Sequence, residues 1–445
     1  MTVGVVALIT LTAFEANATA TVMPAVAQEL NLLASYTWAF NAYVLASLLG
    51  MVAAGIGADA RGPRPVMIIA IAALAVGSVV AGLAWDLGSL IAGRALQGLG
   101  GGALIVSVYV VVARGYPDAM RPRAMLVVAS GWVLPSLIGP VIAGVLAEQW
   151  TWRAAFWLVP LFVVPPLMLL WRGLRSLDVR KPTVRAGHRL RAGLVATLGL
   201  VSIQDGLGRV IAPSVMLIGA IEVLVGLLAL GYAARVLLPA GTLKFVRGLP
   251  CTIMMRGILA SAFFSAEVFV PLAFVEVRGL TVTQGGLMLA VSGACWVTGS
   301  FTQSRQPITL PRSRLVLIGA VIVALGLGSL PLSLLSEVPP WVGAVSWSIA
   351  AYGMGLAIPS VAVQTMRLSP EADQGRNSAA LQIVDSVLVV IVTAVLGVIH
   401  AAAVMSGKAA NAGSFVAIWA IAAAIAVVAA LLARRMEPVG GLKGT

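Results

Sequence analysis

The chain has 445 residues, of which 60% are hydrophobic and only 10% charged, with a formal net charge of +13. Soluble domains carry about 25% charged residues, so this composition excludes a soluble enzyme or binding domain and points to a polytopic membrane protein. The basic excess would suggest nucleic acid in a soluble protein, and that reading turns on where the charges sit.

A bilayer crossing needs about 20 apolar residues. Apolar runs bounded by charge or by Pro/Gly turns predict helices over 3–23, 36–57, 65–85, 88–113, 123–148, 153–172, 190–208, 212–238, 250–275, 281–303, 313–335, 341–366, 378–400 and 412–433. The weakest is 190–208, whose end is crowded by Gln204, Asp205, Gly206 and Arg209, so 190–238 reads either as two helices or as one long broken helix. The expected fold class is all-α and membrane-spanning: a six-helix bundle over 1–172, a cytoplasmic linker and two inserted helices over 173–248, and a second six-helix bundle over 249–445.

Of the 29 basic residues, 23 fall on alternate loops. The opposite loops hold Arg153, Arg209, Arg278 and Lys408, and Arg94 and Arg256 lie inside spans. By the positive-inside rule both termini are cytoplasmic and the chain is a multi-pass protein of the cell membrane. The net charge is thus a topology signal, and no nucleic-acid partner is expected. Cys251 and Cys295 both fall within spans, giving neither a disulfide framework nor a metal site.

In the first span Glu15 shares a helical face with Thr12 and Thr19, and Asn17 and Thr21 add polarity nearby, which reads as one wall of a polar cavity. A carboxylate within a span must be neutralised by a proton, a cation or an arginine, and one whose access to water changes can take up and release protons. After the second span, Gly55, Asp59, Arg61, Gly62 and Arg64 place a tight turn, a carboxylate and two cations at a helix end. This stretch resembles the loop signature of the major facilitator superfamily, Gly-x-x-x-Asp followed by Arg, Gly and a second basic residue. The resemblance implies a gating motif whose aspartate faces the positive N-terminal end of a helix in the other half. Here that helix would be 378–400, with Asn377 and Ser378 as caps. The corresponding loop of the second half has Gln303 where the aspartate is expected.

In the fourth span Arg94, Gln97, Gly98 and Gly101 share a face. A guanidinium within a span costs about 2.5–3.5 kcal/mol and either faces a partner or cavity or snorkels outward. The run is similar to the family's fourth-helix Arg-Gln-Gly motif. The fifth span holds Gly131, Pro135, Gly139, Pro140 and Gly144, small and kinking residues that resemble the superfamily's antiporter signature, with Ala143 replacing one glycine. That signature implies export. The segment from Phe14 to Pro24 resembles the first-helix acidic motif of multidrug:proton antiporters.

Further along, Glu222, Glu267 and Asp385 also lie within spans. Asp385 and Glu267 read as further proton-coupling residues or as structural carboxyls, and Glu222 mainly as structural or lipid-facing. Arg256 is near enough to a span end to snorkel and is given no role. Asn41, Tyr43 and Tyr352 read as substrate-cavity lining or as interfacial anchors. His188 lies in a loop and His400 at a span end, so no histidine relay is expected.

The chain is identified as a member of the major facilitator superfamily and resembles its fourteen-span drug:proton antiporter branch. The resemblance implies alternating access and proton-coupled export of amphipathic small molecules or drugs by a monomer that needs no cofactor. Its partners would be the substrate, protons and the bilayer. Lipid export and uncoupled or proton-symporting transport on the same fold stay open. An enzyme is not expected: there is no His-Glu-x-x-His, and the glycines at 98–102 lack the lysine of a phosphate loop.

Overall fold

The computed structural model describes residues 2–117, 120, 127–128, 130–175, 186–304, 310–370, 373–407 and 412–438. Among these, the α-helices in chain order are α1 (Thr2–Glu29), α2 (Trp38–Arg61), α3 (Pro63–Gly82), α4 (Leu87–Gly115), α5 (Val133–Gln149), α6 (Arg153–Arg175), α7 (Ala186–Val210) and α8 (Met216–Leu237). They continue as α9 (Leu249–Glu267), α10 (Val270–Arg278), α11 (Val282–Ser304), α12 (Arg312–Ser329), α13 (Trp341–Leu368), α14 (Gln374–Met405) and α15 (Ala412–Leu432). Ten helical stretches are long and apolar enough to cross a bilayer, with Val133–Gln149 and Arg153–Val163 as shorter apolar helices.

Every expected span overlaps a helix, although part of 123–148 lies outside the described residues. The stretch 190–238 forms two helices, because Pro213 sits in the turn between α7 and α8 and removes a backbone donor there. The expected unbroken helix over 250–275 is corrected: α9 ends at Glu267 and α10 starts at Val270, next to Pro271. A second correction concerns the start of 378–400. α14 begins at Gln374, so Asn377 and Ser378 lie inside the helix and cap nothing. The Asn377 amide donates instead to the Ser369 hydroxyl at 2.9 Å.

Contacts divide the chain into two compact units, Met1–Val201 with Thr281–Gly286, and Ser202–Leu280 with Leu287–Thr445. In the first, α4 packs along both α2 and α3, and α1 packs on α5 and α6. Its apolar core gathers Leu8, Met67, Leu74, Leu104, Val108 and Val159, all fully buried. Hydrocarbon gives helices no hydrophobic reason to associate, so small residues that let backbones approach carry the packing. On α4 a Cβ at Gly98 or Gly102 would collide with the Tyr43 or Ser47 carbonyl of α2. At Gly100 it would collide with α3 beside Leu74. The glycine run thus wedges α4 between its neighbours. Its N-terminus is fixed by a capping box: Ser89 N–H donates to the Asp86 carboxylate at 2.8 Å, and Asp86 N–H donates to the Ser89 hydroxyl at 3.1 Å. The Ser89 hydroxyl, which also donates to Asp86 Oδ1 at 2.6 Å, and then the Ser89 N–H hold the Asp86 carboxyl below its usual range.

In the second unit α9 packs on α13, α14 and α15, and α12 on α13 and α15. The core is aromatic, with Trp347, Trp419, Phe269, Phe274 and Phe415 buried. α8 exposes large apolar residues around most of its girth, Leu217 at 74% and Leu228 at 67% among them, as a helix facing lipid does.

Candidate functional site

Glu15 is 1% exposed on α1, and Arg94 is 3% exposed on α4. A guanidinium Nη of Arg94 forms a close ion pair with Oε1 of Glu15. The same nitrogen donates to the Gln97 carbonyl oxygen at 2.8 Å and reaches the Thr19 hydroxyl at 3.4 Å, while Nε donates to the Ala39 carbonyl at 2.9 Å. Thr19 donates to Oε1 of Glu15 at 3.3 Å. Gln97 passes the network to the Ser78 hydroxyl at 2.9 Å, and Ser78 ends it on the Leu74 carbonyl. The Tyr43 ring lies 4.7 Å from the guanidinium carbon, a cation–π contact. Four helices therefore converge on one buried charge pair. All the contacts to the carboxylate use Oε1, and Oε2 is buried with no hydrogen-bond partner among the described residues.

This network brings together Glu15, Thr19, Tyr43, Arg94 and Gln97, with Gly98 placed against Tyr43. It does not recruit the other polar residues of α1. Thr12 donates to the Leu8 carbonyl and the Asn17 amide to the Ala13 carbonyl, each closing on its own helix. Asn41 is buried near the start of α2, and Tyr352 belongs to the second unit, where its hydroxyl lies 3.3 Å from that of Thr302.

Gly131, just before α5, and Gly139 within it face α1: a Cβ at Gly131 would press on Ile9 and one at Gly139 would touch Phe14 and Asn17. Gly144 of α5 instead meets Thr283 at the start of α11, and Pro135 and Pro140 are buried in the same helix. In the 55–64 turn, Gly62 has φ +81°, a conformation that suits glycine, and its N–H closes α2 on the Ala58 carbonyl at 3.1 Å. Gly55 has open space around it, Arg61 ends α2, and Arg64 lies in the first turn of α3. The Asp59 side chain lies outside the described residues.

In the second unit both Nε and Nη2 of Arg256 bond Oδ2 of Asp385, each at 2.7 Å. This corrects the expectation for Arg256, which is engaged across two helices instead of snorkelling alone. Glu267 makes no hydrogen bond or ion pair among the described residues. Glu222 accepts from Arg209 at 2.9 Å, and Arg209 also pairs with Asp205 at 2.7 Å, tying α7 to α8. Sequence reasoning missed the pairing itself, but the signal was present: two arginines inside spans each call for an acid, and charge neutrality restricts the choice to four.

Membrane-spanning helices in two units, each holding an arginine–carboxylate pair among its own helices, define a polytopic membrane protein of transporter class. The family model of the Major Facilitator Superfamily matches residues 5–393, and the chain belongs to that superfamily. It is 29% identical over 156 residues to the efflux pump dotC of Dothistroma septosporum, a match covering 35% of this chain and 27% of the relative. It is 26% identical over 333 residues to the MFS-type transporter ppz2 of Metarhizium majus, covering 69% of this chain and 55% of that protein. The chain thus matches between about a quarter and about half the length of these curated relatives. Among solved structures, it superposes on a POT family transporter in complex with thioalcohol conjugated peptide with a TM-score of 0.73 at 14% identity, covering 98% of this chain and 96% of the other. A bacterial homolog to the human lysosomal transporter Spinster gives a TM-score of 0.65 at 13% identity, covering 97% and 95%. At these identities the solved structures speak for the fold. Relatives and structural neighbours are transporters, not enzymes.

Proposed function

We propose that the chain is a proton-coupled exporter that moves amphipathic small molecules or drugs across a cell membrane by alternating access. The observation that carries this reading is the state of Glu15, a carboxylate with one oxygen committed to Arg94 and the other buried and free of partners among the described residues. A proton arriving at Oε2 cancels the charge that holds Arg94. The guanidinium keeps its bonds to the Ala39 carbonyl and to Gln97. Protonation therefore loosens one side of the network while the other side stays anchored, so α1 is freed from α4 and Arg94 gains unsatisfied bonding capacity. A site whose two protonation states differ in this way can couple proton entry to a change in substrate affinity.

Export, as opposed to import, is supported by the glycine and proline pattern of α5 and by the efflux pump among the relatives. Asp385 and Glu267 are proposed as additional proton-linked carboxylates, and the 55–64 turn as a gate. We further propose that all fourteen expected segments cross the bilayer, that both termini are cytoplasmic, and that the protein works as a monomer. The test is transport by purified protein in proteoliposomes with an imposed pH gradient, wild type against Glu15→Gln. Proton-driven uphill transport should be lost in the variant.

A further inference from the structure

Beyond the lipid-facing α8 the chain returns to α9 through residues 238–248. Hydrogen bonds fix this connection along its length. Thr242–Lys244 form a turn of 3-10 helix, and the buried Thr242 hydroxyl donates to the Pro239 carbonyl at 2.7 Å. The Val246 N–H then returns to the Gly241 carbonyl at 3.2 Å, and the Cys251 N–H to the Val246 carbonyl at 3.0 Å. The path needs positive φ at Gly241, Phe245 and Gly248, at +85°, +51° and +89°. Two of these are glycines, but Phe245 holds a left-handed backbone that a side chain disfavours, and such strain persists only where the surrounding contacts over-determine it. The consequence is a fixed pattern of projecting side chains. Leu243 is 56% and Val246 49% exposed, and each is followed by an exposed cation, Lys244 and Arg247.

The turn after α15 completes the surface. Its Arg435 carbonyl accepts the Gly248 N–H at 2.9 Å, and Ala433 and Met436 are fully buried where the turn packs on α9 and α12. Between those two anchors Arg434 and Arg435 are exposed. Cations from two stretches far apart in sequence are thus gathered at one place, and none of Lys244, Arg247, Arg434 and Arg435 pairs with an acid among the described residues. The acid beside them in sequence, Glu437, accepts from the Ser313 hydroxyl of α12 instead. Like charges held together repel unless an anion covers them. The apolar neighbours select the anion. A free phosphate gains nothing from Leu243 and Val246, whose exposure to water is unfavourable. A phospholipid meets both features: lysine and guanidinium groups take its phosphate, and its acyl chains cover the leucine and valine where they continue the lipid-facing surface of α8.

We propose that Lys244, Arg247, Arg434 and Arg435, with Leu243 and Val246 beside them, form a binding site for an anionic phospholipid. With the termini on the cytoplasmic side, the site meets the leaflet in which acidic lipids concentrate. It concerns a lipid partner of the protein and is independent of the substrate and of proton coupling. The test titrates detergent-purified full-length protein with phosphatidylglycerol, and with phosphatidylcholine of the same acyl chains as an uncharged control, and counts retained lipid by native mass spectrometry. The wild type should hold phosphatidylglycerol at least about tenfold more tightly than phosphatidylcholine. The double variants Lys244→Gln with Arg247→Gln, and Arg434→Gln with Arg435→Gln, should each remove on the order of tenfold of that affinity. Arg367→Gln, which deletes an exposed cation at the end of α13, should leave it within about twofold, and millimolar glycerol 3-phosphate should not displace the lipid. Thermal unfolding checks that the variants fold. Equal retention of the two lipids by the wild type overturns the site whatever the variants do. So does unchanged phosphatidylglycerol binding by the folded double variants, a loss of the same size in Arg367→Gln, or displacement by glycerol 3-phosphate.

Discussion

Arg94 on α4 bonds to Oε1 of Glu15 on α1 and leaves Oε2 of that carboxylate buried without a partner among the described residues. Both side chains are at least 96% buried, and removing either one strands the other. Breaking a buried pair by deleting one partner costs roughly 3–5 kcal/mol. Arg94→Ala should therefore lower the unfolding temperature of the detergent-solubilised protein markedly. The double variant Arg94→Ala with Glu15→Gln should recover part of that loss, because no charge is left uncompensated. A double variant no more stable than Arg94→Ala alone would contradict the pairing.

Arg94→Lys should not substitute. The guanidinium directs Nε to the Ala39 carbonyl and Nη1 to Glu15 and Gln97, over the face of Tyr43, a fixed fork that a single ammonium does not reproduce. Stability should fall between those of the wild type and Arg94→Ala in the same thermal measurement.

The wedge of α4 between α2 and α3 predicts sharp intolerance at Gly98 and Gly102. Added carbon there meets backbone carbonyls of α2, which cannot move aside as a flexible side chain would. Gly98→Val or Gly102→Val should cost at least the roughly 1–3 kcal/mol of an overpacked core and show as a loss of monodisperse protein in size-exclusion chromatography. Gly55→Ala, with open space around it, should be tolerated.

The helical architecture was legible in the sequence because hydrocarbon demands long apolar runs, and charged loops punctuate them. What stayed hidden was set by tertiary contact. Glu15 and Arg94 were each singled out as costly in a bilayer, yet nothing local links residues 79 positions apart. The break after Glu267 was masked because the residues that follow it, 268–275, are uniformly apolar and Pro271 falls near the end of the run. Asn377 and Ser378 carry cap chemistry, but the helix starts a turn earlier, and the Asn377 amide is used on Ser369. Residue type marked the cost of each group, and only the fold decided which partner met it.

At the head of α4, Asp86 is held below its usual range by Ser89. A carboxyl whose folded value is lowered contributes stability above its unfolded value and loses that contribution as pH falls through the folded one. The stability gap between wild type and Asp86→Ala should accordingly be present at neutral pH and narrow in acid, as read by thermal unfolding across a pH series.

The half-buried Arg256–Asp385 pair should matter less to stability than the pair in the first unit, because its side chains are 19% and 15% exposed against 4% and 1% and exposure screens charge. Asp385→Asn should cost on the order of 1 kcal/mol, well below Arg94→Ala in the same unfolding assay.

The most direct test of proton coupling is made with Glu15→Gln, which keeps the shape of the side chain and removes the charge that a proton would cancel. In proteoliposomes with an imposed pH gradient, wild type should accumulate substrate against its concentration gradient. The variant should still exchange substrate down a gradient yet show no proton-driven accumulation. Undiminished uphill transport by Glu15→Gln would contradict the role assigned to Glu15.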